Sequence, residues 1–200
     1  MARPPKYSSE QILDAVVDVL RRTGPADLTV AMVANVLGAP SGSIYHRFPS
    51  RDALVASAWL RVGERFRQDF AAALRATDPT QGALAAVGLM LDWARRRPSE
   101  AGFFLLHSRS EISSTEWPPE LARRATRLGN DLTDTLRAFA SRLPGVSLAR
   151  ARFALLDVPQ AAIRRAQVSG SALDTEVQQL VESSILALLD PARPVTRMAS

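Results

Sequence analysis

The sequence contains no cysteine. This absence excludes a disulfide framework, a thiolate metal site and a cysteine nucleophile. Only two of the 200 residues are histidines, and the sequence shows neither clustered metal-ligand spacing nor a glycine-rich phosphate loop after a strand. We therefore expect no cofactor and no metal, and we expect that the protein is not an enzyme.

Long apolar runs and strand patterns are also missing. No run approaches the roughly 18 apolar residues that cross a bilayer, and the start of the chain leads into an amphipathic segment rather than a signal-peptide core. No segment alternates β-branched and polar residues between hairpin turns, and there is no internal repeat. The sequence predicts an all-α protein in the cytoplasm, without a membrane partner.

Apolar residues and arginine are abundant. Hydrophobic residues make up 46% of the chain, which is enough for a buried core in one or two domains. The net charge of +5 favours polyanionic partners. In residues 1–52, however, six basic side chains (Arg3, Lys6, Arg21, Arg22, Arg47, Arg51) stand beside five acidic ones (Glu10, Asp14, Asp18, Asp27, Asp52). Charge alone therefore does not identify the partner.

The first fifty residues predict three helices. The first begins at about Ser9, because Ser8 and Gln11 form a capping-box pattern, and it ends at about Thr23 before Gly24 and Pro25.

The second and third helices are short. The second opens at Leu28-Thr29 and ends at Gly38, and Pro40 takes the first position of the third, which ends at about Arg47. Two short helices joined by a tight glycine-containing turn, after a helix on which they can pack, form a helix-turn-helix pattern.

A larger helical body follows this head. We expect residues 1–52 to bind DNA, residues 53–190 to form a ligand-binding and dimerisation domain, and residues 191–200 to be a frayed tail. A long fourth helix, about residues 51–77, connects head and body. The remaining predicted helices, which bring the total to about nine, are at about residues 80–97, 99–107, 119–142, 147–168 and 172–189.

The third helix carries a small, polar and aromatic face. With Ile44 and Phe48 buried at i and i+4, a rotation of about 100° per residue turns four residues to the opposite side, with Ser41 and Arg47 flanking them. The four residues are Gly42, Ser43, Tyr45 and His46.

This face suits the major groove of DNA. Serine hydroxyls bond base edges or phosphate, glycine permits close approach, and Tyr45 and His46 can donate to phosphate oxygens. Arg51, in the first turn of the fourth helix, would add a phosphate contact beside that helix N-terminus. Thr29 would meet a phosphate or serve only as a helix cap. Tyr45 would alternatively pack the head, and His46 would be an ordinary surface residue.

The segment from Leu28 to Leu54 resembles the signature of the tetracycline-repressor (TetR) family. The likeness runs from Leu-Thr-Val-Ala-Met-Val-Ala at 28–34 through Leu-Gly-Ala-Pro-Ser-Gly-Ser-Ile-Tyr-His-Arg-Phe-Pro-Ser-Arg-Asp-Ala-Leu at 37–54, and with the first helix it covers about residues 8–55. It implies DNA contacts at Thr29, Ser41, Gly42, Ser43, Tyr45, His46 and Arg51.

Three positions depart from the family pattern. Pro40 stands where the family usually has a capping serine, Ala31 where a basic or polar residue is common, and Arg51 where lysine is usual. Ala31 would reduce the number of phosphate contacts.

The resemblance also implies a homodimer that binds a palindromic operator in double-stranded DNA, with repression as the family default. The last two long helices would pair with their copies in a four-helix interface, and Pro159 should kink the first of them. Their apolar residues exceed what one core-facing stripe needs: Phe153, Leu155, Leu156, Ile163, Val177, Leu180, Val181, Ile185 and Leu188.

The family further implies a pocket for a small-molecule effector in the body. We expect a largely apolar or aromatic effector, with Arg109 and Glu111 near a polar end. Each aromatic residue, taken singly, would be ordinary core. The predicted lining consists of Met90, Trp93, Phe103, Phe104, His107 and Trp117.

Two other functional classes compete with this interpretation. His107, Ser108 and Glu111 offer the ingredients of a hydrolytic site, but their closeness in sequence is not triad geometry and no nucleophile elbow is present. The second is a helical ligand-binding or interaction protein with little DNA affinity, which the near-neutral head and Ala31 favour.

Overall fold

The computed structural model of the protein describes residues 7–107 and 117–190, apart from the side chain of Arg21. Within these ranges all regular secondary structure is helical, as predicted. No helix in the described ranges combines the length and apolarity that a membrane crossing needs. The predictions for Ser108, Arg109, Glu111 and the tail at 191–200 lie outside the described residues.

The helices follow the predicted order. Their bounds are α1 Ser9–Asp27, α2 Val30–Leu37, α3 Ser41–Tyr45, α4 Arg51–Leu74, α5 Pro79–Arg96, α6 Pro98–Leu105, α7 Pro119–Ala140, α8 in three parts, Leu148–Arg152, Phe153–Asp157 and Val158–Ser169, and α9 Thr175–Leu189.

Helix α1 begins as the sequence predicts and ends a few residues later. The Gln11 amide donates to Ser8 Oγ at 3.2 Å, and the Ser8 amide donates to Gln11 Oε1 at 2.8 Å, which completes the capping box. Gly24 breaks the helix with φ 74° and ψ 172°, and residues up to Asp27 continue beyond this kink. The break at Gly24 is therefore present, with a further turn after it.

Helix α3 is shorter than predicted. Pro40 lies one position before its first residue, with φ −64° and an extended ψ of 137°, and provides no side-chain cap. The prediction that Pro40 opens the helix is therefore wrong by one residue. The fixed φ of proline suits this position as well as the first helical one. Proline also has no amide hydrogen, so neither position leaves a donor without a partner.

Helix α8 contains the irregularity expected near Pro159. Residues Phe153–Asp157 form a π-helical turn, in which the Val158 amide donates to the Phe153 carbonyl. Proline has no amide hydrogen and its ring crowds the carbonyl four residues earlier, so one extra residue in the preceding turn relieves the conflict.

The chain forms two compact units. Among the described residues, the first combines residues 7–64 with residues 99–107 and 117–127, and the second combines residues 65–98 with residues 128–190. Each has its own buried core. The first unit buries Ile12, Val16, Ile44, Leu54 and Leu60, and the second buries Phe70, Met90, Leu136, Leu155 and Ile185.

Two arginines of the second unit bind backbone carbonyls at the ends of two helices, α4 and α9. Arg142 donates to the Leu74 and Thr77 carbonyls at 2.8 Å each, just where α4 ends. Arg150 donates to the Asp190 carbonyl at 3.0 Å, just beyond α9. The last carbonyls of a helix have no partner within it, and a guanidinium with five N–H donors satisfies several of them at once.

Candidate DNA-binding surface and aromatic cluster

Helices α2 and α3 present the face that the sequence predicts. Ile44 is fully buried and Phe48 is 8% exposed, so α3 packs through the predicted pair. On the other side Gly42 and His46 are exposed, and Tyr45 keeps 50% of its surface. The rotation about α3 that was inferred from sequence is therefore present in the structure.

The turn between α2 and α3 is fixed from two directions. Gly38 adopts the left-handed conformation, with φ 61°, and caps α2 through its amide. The Tyr7 hydroxyl, just before α1, donates to the Gly38 carbonyl at 3.2 Å. The orientation of α3 relative to α2 thus depends on a glycine that tolerates positive φ and on a tyrosine 31 residues away.

Two hydroxyls on this surface have defined hydrogen-bonding capacity. Ser43 Oγ donates to the Pro40 carbonyl at 2.7 Å, so its oxygen remains able to accept a bond from a base amino group. Thr29 Oγ1 accepts from the Met32 amide at 3.2 Å, so its hydroxyl hydrogen can still be donated to a phosphate. For Thr29 the capping role and the phosphate role are therefore compatible.

Arg51 is held by the protein itself. Its Nε donates to the Leu28 carbonyl at 3.0 Å, its Nη2 to the Ala26 carbonyl at 3.2 Å and to the Pro25 carbonyl, and its Nη1 to Asp52 Oδ1 at 2.8 Å. The guanidinium joins the start of α4 to the connection between α1 and α2. This geometry favours a positioning role over the direct phosphate contact expected from sequence.

Arg61 forms a second connection between α4 and the head. The residue is 7% exposed. Its Nη1 donates to the Glu10 carbonyl at 3.1 Å and to Glu10 Oε2 at 2.9 Å, and its Nη2 lies 2.7 Å from Asp14 Oδ1. Sequence reasoning missed this residue. The available signal was its spacing, since Arg61 stands three positions after the buried Ala58 and seven after the buried Leu54.

Three aromatic rings meet in the first unit. The Trp59 ring centroid lies 4.9 Å from that of Phe104, with the planes tilted by 47°, and 5.7 Å from that of Trp117, edge to face at 71°. We call these three residues the aromatic cluster. Trp117 is 4% exposed, and the Trp59 Nε1 atom is buried with no hydrogen-bond partner among the described residues. The predicted lining included Phe104 and Trp117 but not Trp59, on which both of them pack.

The six predicted lining residues divide between the two units. Phe103, Phe104, His107 and Trp117 belong to the first unit, where Phe103 is buried and His107 is half-buried. Met90 and Trp93 belong to the second unit, where Met90 is fully buried.

Trp93 has a different aromatic partner. Its ring stacks on Phe66 within the second unit, at 5.2 Å between centroids and 20° between planes. Phe104 and Trp117 therefore both pack on Trp59, whereas Trp93 packs on Phe66.

The second unit also contains a pocket that the sequence did not indicate. Its volume is about 490 Å³, and its walls come from the end of α5, the end of α8 and residues 170–173. Ala94, Ile163 and Leu173 give it an apolar lining, with Arg95 and Gln167 as polar groups. None of the six predicted residues lines this pocket.

The apolar residues of α8 and α9 divide into core and surface. Leu155, Leu156, Ile163, Val181 and Ile185 are buried within the second unit. Large side chains with at least two-fifths of their surface exposed are Phe153 (52%), Val168 (83%), Leu180 (62%) and Leu186 (41%). Burial thus separates two groups that the sequence could not distinguish.

Comparison with known proteins agrees with this geometry. Residues 12–58 match the family model of bacterial regulatory proteins, tetR family. No functionally curated protein matches the sequence.

Several solved structures share the fold. A transcriptional regulator from Rhodococcus sp. Rha1 is 19% identical, with a TM-score of 0.77 over 95% of this chain and 100% of its own. A TetR transcriptional regulator from Legionella pneumophila is 14% identical, with a TM-score of 0.71 over 94% and 100%. The transcriptional regulator FadR from Bacillus subtilis, solved in complex with stearoyl-CoA, is 14% identical, with a TM-score of 0.70 over 92% and 99%.

Proposed function

We propose that the protein is a homodimeric repressor, which a small effector releases from DNA. The basis of this proposal is that the chain belongs, through residues 12–58, to the tetR family of bacterial regulatory proteins. Residues 1–52 would hold a palindromic operator. Residues 53–190 would bind the effector, which we expect to be largely apolar or aromatic, and would form the dimer.

The observation that carries this proposal is the exposed face of α3 above a fully buried Ile44. A helix of this kind can enter the major groove while its apolar side stays packed in the head. We propose DNA contacts at Thr29, Ser41, Gly42, Ser43, Tyr45 and His46. We assign Arg51 the positioning of α4, whose first amides would face a phosphate.

The exposed apolar residues of α8 and α9 support a dimer. Phe153, Leu180 and Leu186 are large apolar side chains with 52%, 62% and 41% of their surface uncovered in one protomer. Apolar surface of this kind is typical of protein–protein contacts. A two-fold axis through this surface would pair two heads with half-sites one helical turn apart, about 34–36 Å.

Helix α4 supplies a physical link between effector and DNA. It carries Trp59 in the aromatic cluster, and it is joined to the head by Arg51 and Arg61. An effector that favours another position of α4 would shift the population of head positions away from the one that fits the operator. The stearoyl-CoA complex of the Bacillus subtilis neighbour is consistent with ligand binding in this fold. At 14% identity we transfer no ligand from it.

The test is fluorescence anisotropy of the purified protein with DNA that flanks its own gene, at about 50 and 200 mM salt, beside scrambled DNA of equal length. We expect specific binding by two subunits, or a multiple of two, that weakens as salt rises. Equal and weak binding to both DNAs would favour the alternative, a helical ligand-binding or interaction protein with little DNA affinity.

A matched pair of variants makes the test specific to α3. Gly42 and Gly129 are both exposed, and an added Cβ at either would meet no described atom within 4 Å beyond the local backbone, so a larger side chain can extend into solvent at both positions. Gly42→Leu should lower specific binding at least tenfold, because it prevents close approach to the groove. Gly129→Leu on α7 should bind as the wild type does. Equal affinity of the two variants would contradict the proposed role of α3.

A further inference from the structure

The aromatic cluster contains a donor that the described residues leave unsatisfied. Trp59 Nε1 is buried without a hydrogen-bond partner among them, although Phe104 and Trp117 pack against its ring. An unsatisfied buried donor destabilises a fold, and native proteins contain few of them. A buried indole usually finds an acceptor. The N–H group of Trp59 therefore lacks a hydrogen-bond acceptor among the described residues.

We propose that the aromatic cluster is the effector site and that it takes an aromatic ligand with a neutral carbonyl group, which accepts a hydrogen bond from Trp59 Nε1. This inference rests on the proposed function, since it names the ligand class of the same regulator. Indole N–H is a donor only, so the ligand must bring the acceptor. The tilted and edge-to-face geometry of the three rings is the arrangement that aromatic groups favour among themselves.

The chemistry of the three side chains favours a neutral acceptor over a carboxylate. Two indoles and a phenyl ring bring no positive charge to the cluster. Against these three rings a carboxylate moved from water would lose its hydration without gaining a counter-charge from them, whereas a ketone, ester or amide carbonyl needs only one donor. We therefore expect uncharged aromatic carbonyl compounds to bind and their acids to bind weakly.

The position of Trp59 connects this site to the head. Trp59 and Arg61 are two residues apart on α4, which corresponds to a rotation of about 200°, so they occupy nearly opposite faces of the helix. One face contacts Phe104 and Trp117, and the other holds Glu10 and Asp14 on α1. A ligand that moves the first face must move the ion pairs on the second.

The experiment uses two naphthalenes of nearly equal shape that differ in the acceptor, 2-acetylnaphthalene and 2-isopropylnaphthalene. Calorimetric titration of the full chain should give at least fivefold tighter binding of the ketone. Trp59→Phe keeps a ring and removes the donor, so the ratio of the two affinities should fall to about one through weaker binding of the ketone. Gly129→Leu, a change at an exposed position of the second unit, should leave the ratio as in the wild type.

A second measurement needs no variant. In protein labelled with ¹⁵N at the indole nitrogen, the ketone should move the Trp59 N–H proton resonance downfield, and the hydrocarbon should not. The proposal is overturned if neither naphthalene binds up to about 1 mM, if both bind equally to the wild type, or if Trp59→Phe folds and keeps the ratio. DNA binding without ligand is measured separately. Ketone binding without operator binding would contradict the repressor function alone, and the reverse would contradict this site alone.

Discussion

Removing Arg61 and removing its two carboxylate partners should lower the stability of the protein by different amounts. The side chain of Arg61 is 9% exposed, whereas those of Glu10 and Asp14 are 60% and 64% exposed. Removing the arginine returns two carboxylates to water that already surrounds them. Removing the carboxylates leaves a buried cation without its charged partners. The second change should therefore destabilise the protein more than the first.

The magnitudes follow from burial. Arg61→Met keeps an unbranched chain in the buried space and loses two ion pairs to exposed acids, each worth about 0–1 kcal/mol, so the total loss should be about 0–2 kcal/mol. The double variant Glu10→Ala/Asp14→Ala leaves Arg61 with only the Glu10 carbonyl, and an uncompensated buried charge destabilises by about 3–5 kcal/mol. A difference of about 2 kcal/mol corresponds to about 4–8 °C in melting temperature for a chain of this size.

Thermal unfolding at one fixed protein concentration measures this difference, since dimerisation would make the melting temperature depend on concentration. Asp18→Ala, an exposed acid on the same helix, is the control and should change the free energy of unfolding by less than about 0.5 kcal/mol. If Arg61→Met lowers the melting temperature as much as the double variant does, the argument from unequal burial is wrong.

Three further predictions concern other surfaces. Tyr45→Phe should weaken DNA binding about fivefold whatever the sequence, whereas Ser43→Ala should change the order of preference among operator variants; the same effect of both in anisotropy would contradict this division. Gly129→Ala, with no atom within 4 Å of the new Cβ, should raise the free energy of unfolding by about 0.5–1 kcal/mol in denaturant titration. Gly82→Ala should gain less, because its Cβ would lie 3.1 Å from a backbone carbonyl oxygen, and equal gains would refute the steric reasoning. Leu180→Arg should sediment as a monomer and lose specific DNA binding, and a stable dimer of this variant would exclude the proposed interface.

Local patterns were sufficient to predict the head. The capping box at Ser8, the break at Gly24 and the buried face around Ile44 all depend on residues within a few positions of each other. The match of residues 12–58 to the tetR family agrees with the resemblance seen in the same segment. These features were accessible because helix caps, turns and helical periodicity are encoded locally.

Contacts between distant residues were not accessible in this way. The carbonyl that Arg51 reaches at Leu28 is 23 positions away, and the glutamate that pairs with Arg61 is 51 positions away. Nothing in the local sequence distinguishes such an arginine from one that binds phosphate. Trp59 was missed for the same reason, since the rings that surround it come from α6 and from residue 117.

The positions of the arginines change how the net charge should be interpreted. Arg51 and Arg142 satisfy backbone carbonyls, Arg61 joins α4 to α1, and Arg124 forms a two-oxygen contact with Glu64 at 2.9 Å to each oxygen. Charges engaged in this way cannot also neutralise phosphates without breaking contacts that stabilise the fold. Residues 1–52 hold six basic and five acidic side chains, and Arg51 is one of the six, so the net charge of +5 for the whole chain overstates the attraction of this head to DNA. Affinity in this head must depend more on hydrogen bonds from α3 and from helix N-termini, which are directional and respond less to salt than counterion release does.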